Sequence, residues 1–120
     1  MTTPSEIPPQ QPVIPLTPDV RAAYQNLYDK YEAAIENTTD PTLLAELNSS
    51  QADVDDVLSK DDMYRLHANA ALFQELLDQI NCTNAGLKTL QAEIAATASR
   101  IKAIGDILSA INQVVTLIPG

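Results

Sequence analysis

The chain has one histidine, His67, and one cysteine, Cys82, the natural starting points for chemistry. A general base needs a partnered nucleophile or a pocket, and no GxSxG, HExxH or CxxC accompanies His67. Glu75 and Asp78 follow closely, but two carboxylates with one imidazole make a weak metal set. Cys82 has no histidine or cationic cluster beside it to activate its thiol, and as the sole cysteine it excludes an internal disulfide. Gly86, Gly105 and Gly120 are isolated, so no glycine-rich phosphate loop exists. These residues imply no enzyme, no cofactor and no metal.

The aspartates Asp53, Asp55, Asp56, Asp61 and Asp62 resemble a calcium loop in composition only. Counting from Asp53, the sixth and twelfth positions hold Leu58 and Tyr64, where an EF-hand needs glycine and glutamate. The cluster reads instead as a solvated face and helix caps, with recognition of a basic partner as the functional alternative. Tyr24, Tyr28 and Tyr31 line one side of a predicted helix and read as core and rim packing, hydroxyls toward water. As stacking platforms for bases they would need a basic surround. The net charge is -9 and the pI about 4.2, which argues against nucleic acid. The acid is concentrated between Glu36 and Asp62, where Lys60 is the only cation.

The elements that carry these residues read as helices. The chain is rich in alanine, leucine and isoleucine and holds only 3 glycines, a mix that favours helix over sheet. Residues 1–17 form a predicted extended arm, with Pro9, Pro12, Pro15 and Pro18 at the three-residue repeat of polyproline II. Val13, Ile14 and Leu16 make it too apolar for a purely solvated tail, so it is expected to dock on its own bundle or on a neighbour. Residues 18–120 form one helical domain, with helices expected at about 18–37, 41–58, 60–81 and 87–118. Thr17-Pro18-Asp19 and Asp40-Pro41 are N-terminal caps. The apolar stripe of the second helix fails after Leu58, which predicts a kink or turn at 59–61.

Every seventh residue from Leu66 is large and apolar: Leu66, Phe73, Ile80, Leu87, Ile94, Ile101, Leu108, Val115. A second column, Leu90, Thr97, Ile104, Ile111 and Ile118, completes an a/d seam. Asn81-Cys-Thr-Asn-Ala-Gly86 holds poor helix formers, yet the heptad phase crosses it unbroken. Two architectures follow. One is an antiparallel bundle with a turn at 81–86; the other has a single helix from about 60 to 118. Either is all-α, with three to four helices, a long coiled-coil-like C-terminal helix and a proline-rich arm.

The leading functional expectation is a non-enzymatic structural or assembly subunit, as of a virion or secretion apparatus. It would oligomerise, with itself or with other subunits, through Leu87, Leu90, Ile94, Ile101, Ile104, Leu108, Ile111, Val115 and Ile118. The alternative is an acidic chaperone, adaptor or inhibitor that holds a basic partner on Asp53, Asp55, Asp56, Asp61 and Asp62. A membrane-active helix over Ala103–Ile118 is a third reading, against which stand Asp106, Asn112, Gln113 and the lack of a basic rim. No signal peptide and no run of about 20 apolar residues is present, so the expected location is the cytoplasm or an assembly.

Overall fold

The computed structural model describes residues 14–97 and 102–117. Helix α1 (Pro18–Asn37) starts at a local cap: the Thr17 hydroxyl accepts the Val20 N–H at 3.3 Å, and Pro18 takes the first helical position. Helix α2 (Pro41–His67) starts the same way, with the Asp40 carboxylate accepting the N–H groups of Thr42 and Leu43 at 2.9 and 3.3 Å. Helix α3 covers Ala70–Thr97 and helix α4 covers Lys102–Leu117. The described residues form four helices and no strands.

The expected break at 59–61 does not occur; α2 passes through it to His67. The reason is Asp61. It occupies the buried face one turn after Val57 and Leu58 and is itself fully buried. Its carboxylate is partnered by Arg21, by Arg65 at 2.8 Å and by the Leu16 N–H at 2.9 Å. The stripe is broken in hydropathy but not in geometry, because a paired carboxylate stands where an apolar side chain would.

The turn comes later, at Ala68 and Asn69, and it corrects the expected start of a helix at 60. Ala68 takes the left-handed conformation (φ 32°, ψ 70°), and its N–H reaches the Tyr64 carbonyl at 2.7 Å. Asn69 then caps α3, its side-chain oxygen accepting the Leu72 N–H at 2.9 Å.

Residues 81–86 are helical, within α3. Thr83 and Asn84 are buried rather than turned out. Thr83 Oγ1 donates to the Asp53 carbonyl at 3.3 Å and accepts from Gln79 at 2.9 Å. Asn84 Oδ1 accepts the Tyr24 hydroxyl at 2.8 Å. The expected helix over 87–118 is instead divided between α3 and α4, so a single rod from 60 to 118 does not form.

The 20, 27, 28 and 16 residues of α1 to α4 correspond to about 30, 40, 42 and 24 Å of helix. Each helix packs on two neighbours in a ring, α1 on α2 and α4, and α3 on α2 and α4. Antiparallel order follows from the links. Residues 98–101 span at most about 18 Å from Thr97 to Lys102, too little to bring packed α3 and α4 parallel. The C-termini of α2 and α4 and the N-termini of α1 and α3 therefore share one end of the bundle. The core contains Tyr24, Leu27 and Tyr31 from α1, Leu47 and Val54 from α2, Leu76, Ile80 and Leu87 from α3, and Ile107 and Ile111 from α4.

Candidate interaction surfaces

The residues that could do chemistry lie at the end of α2 (His67) and along α3 (Glu75, Asp78 and Cys82). His67, Glu75, Asp78 and Cys82 are each exposed. Among the described residues no group of three His, Cys, Asp or Glu side chains could hold a metal.

The five aspartates separate into two environments. Asp61 is the buried partner of Arg21 and Arg65, and Asp62 pairs with Arg21 at 2.9 Å. Arg65 also donates to the Leu16 carbonyl at 2.6 Å, so both polar backbone groups of Leu16 are held by α2. Leu16 is buried in the core cluster and Ile14 packs against it. Val13 lies outside the described residues. Asp55 and Asp56 are exposed and Asp53 half-buried, farther along α2.

Asp53 helps line an open groove of about 430 Å³ between α2 and α3, with Glu46, Ser49, Gly86, Thr89 and Glu93. Small residues leave the space, and carboxylates set its charge. A hydrogen bond with Glu93, then burial, then repulsion from Glu93 and Asp40 raise the Glu46 carboxyl above its ordinary range. Burial, and after it Asp56, raise Asp53 likewise.

The tyrosines are core residues whose hydroxyls turn inward rather than toward water. Tyr24 reaches Asn84, and Tyr31 meets the Ser50 hydroxyl at 2.7 Å. Desolvation raises both phenols well above their ordinary value, more than the hydrogen bonds lower them. Tyr28 is half-buried.

The heptad seam is mostly interior to the single chain. Leu87, Leu90, Ile94 and Ile111 are buried in the bundle, while Leu108 and Val115 are partly buried against it. Ile101, Ile118 and the side chain of Ile104 lie outside the described residues.

Among the described residues, the large apolar side chains left exposed are Met63 (46%), Leu66 (74%), Phe73 (38%) and Leu117 (40%). All four belong to the last turns of α2 and α4 or the first turn of α3, and so to one end of the bundle. Phe73 lies on the stripe that Leu76, Ile80 and Leu87 continue into the core, so the core is open there. Its ring stands edge-on to Tyr64, centroids 6.0 Å apart. The seam pattern contains Leu66 and Phe73 but sets them on one helix; their exposure at the end of the bundle follows from the position of the Ala68-Asn69 turn.

Comparison with protein-family models, with curated proteins and with solved structures finds no match for this chain.

Proposed function

We propose that the protein is a non-enzymatic assembly subunit, a four-helix bundle that works by packing the open end of its core against protein. One observation carries the reading: among the described residues, the four exposed large apolar side chains all lie at one end of the bundle. Single exposed apolar residues are ordinary, whereas several gathered at an uncovered core end mark a contact surface. None of the described helices is long and apolar enough to cross a membrane, so insertion of a whole helix does not account for that end.

Site-directed photo-crosslinking in extracts of producing cells tests this. A probe replacing Leu66 is expected to give protein adducts, and one replacing Asp55 is not. Failure to crosslink from Leu66 removes the reading.

A second reading has its own observation. The groove gathers the carboxyls of Glu46, Asp53 and Glu93, with Glu46 raised chiefly by its hydrogen bond with Glu93 and Asp53 chiefly by burial, a setting that favours an incoming lysine or arginine. Under it, the adducts arise from a probe replacing Ser49, which lines the groove, and weaken as salt rises.

A further inference from the structure

We infer that the open end of the core is a self-contact, at which a second copy of this chain docks end to end about a two-fold axis. The inference rests on the proposed role of that end in protein contact and names its occupant.

Charge distribution identifies the partner. In a two-fold contact a surface meets itself, so any net charge it carries is set against the same charge. For a chain of net charge -9 most surfaces are barred on that ground. From Glu36 to Asp56 the acids Glu36, Asp40, Glu46, Asp53, Asp55 and Asp56 outnumber the cations Lys88 and Lys102 of the neighbouring helices. That stretch runs from the end of α1 toward the middle of α2, away from the open end.

At the open end Arg21, Lys60 and Arg65 stand against Asp19, Asp61, Asp62 and Glu75, nearly in balance. Arg21, Asp61, Asp62 and Arg65 are moreover bonded to one another. The apolar side chains thus lie where two copies can approach with least repulsion. A basic protein would be drawn to the acidic stretch instead. An anionic lipid surface would find no net positive charge beside Met63 and Leu66, because Arg21 and Arg65 are paired with Asp61 and Asp62.

Geometry agrees with self-contact. Phe73 and Tyr64 close the α2–α3 side of the core with an aromatic pair, and among the described residues Phe73 is left exposed. A second copy covers that ring, Phe73 toward Phe73, with Leu66 of each chain flanking the axis. The contact is the end face of a bundle, smaller than the ~800 Å² per partner of standard interfaces, so the dimer is concentration-dependent.

The test is the absolute mass of the purified full chain, by light scattering or sedimentation, across concentration and salt. The expected result is a monomer–dimer equilibrium that strengthens with salt, as screening removes the residual repulsion. Leu66→Glu and Met63→Glu change exposed positions, so helicity should persist while association falls at least ~10-fold. His67→Cys in a Cys82→Ser background should form a disulfide-linked dimer on oxidation, and Asn48→Cys should not.

A monomer at every concentration up to ~1 mM overturns the self-contact. So does an oligomer that survives Leu66→Glu or dissolves in salt. A monomeric chain that still crosslinks from Leu66 to other proteins would overturn self-contact alone and leave the assembly reading standing.

Discussion

The buried carboxylate of Asp61 accepts the backbone N–H of Leu16 at 2.9 Å, across 45 residues of sequence. Arg65, one turn on, takes the carbonyl of the same residue. A helix is thereby holding an irregular segment by its peptide groups, and the two arginines neutralise the charge that does so. The arrangement ties the entry of α1 to the end of α2 and sets the level at which the bundle's core is left open.

Removing that carboxylate should be among the more damaging single changes. Asp61→Ala leaves the Leu16 N–H without its partner and Arg21 and Arg65 without their shared anion. Both arginines reach solvent, with side-chain exposures of 35% and 43%, so the loss falls near the ~2–3 kcal/mol of a charged hydrogen bond. Asp61→Asn keeps an acceptor for Leu16 and should lose less. Urea unfolding of the two variants beside the parent gives the order. A smaller loss for alanine than for asparagine would contradict this account.

A comparison of Tyr24→Phe with Tyr31→Phe isolates the value of a buried partner. Tyr24 spans the diagonal of the bundle to Asn84, which is only 6% exposed; Tyr31 meets Ser50, which is half-buried. Loss of the Tyr24 hydroxyl strands a buried amide oxygen and should cost about 1–3 kcal/mol, whereas water can reach Ser50 and the second loss should stay near ~1 kcal/mol. Thermal melts of both variants, with Tyr24→Phe/Asn84→Leu as a rescue, test the difference.

The features legible in the sequence are those fixed by neighbours a few residues apart. Thr17-Pro18 and Asp40-Pro41 act through groups two or three residues away, and both helix starts can be read from them. What misleads is a polar residue whose partner is distant. Asp61 reads as a cap because Arg21 and Leu16 cannot be placed beside it from sequence. Thr83 and Asn84 suggest a turn because Asp53 and Tyr24 are equally out of sight. The real turn has alanine where glycine would be the signal, leaving Asn69 as its one marker.

The seam shows a related limit. Leu66 and Phe73 share its heptad position but belong to different helices, and α4 buries Ile107, Ala110, Ile111 and Val114, a face rotated from the column of Leu108 and Val115. A constant phase is necessary for one long helix and does not establish it. The open end, the surface on which the functional reading rests, becomes visible only when the turn is located.

Two exchanges between glycine and alanine should each stabilise the fold, in opposite chemical directions. Ala68 holds φ 32°, a conformation in which a Cβ is strained, so Ala68→Gly should gain ~0.5–1 kcal/mol. Gly86 lies inside α3, and a Cβ added there meets nothing within 4 Å. Gly86→Ala should likewise gain ~0.5–1 kcal/mol through helix propensity. Denaturant midpoints shifting upward in both, and further in the double variant, are the expected result; a destabilised Gly86→Ala would mean that the groove beside it tightens on folding.

Alkaline pH should unfold the protein through the two buried tyrosines. Burial raises Tyr24 and Tyr31 above the ordinary 10.0, so in the folded state both stay protonated where the unfolded chain would already ionise. The folded state then binds more protons than the unfolded one, and stability falls as pH rises. Their contribution is fully present below pH 10.0 and is lost progressively above it, toward the raised folded values. The check is tyrosinate absorbance followed together with helical circular dichroism during a rapid alkaline titration. Part of the tyrosinate signal should appear only as helicity disappears, and Tyr31→Phe should make the alkaline fall in stability shallower. Complete ionisation of all 4 tyrosines in a still-helical protein would show that Tyr24 and Tyr31 are open to hydroxide, contrary to their place in the core.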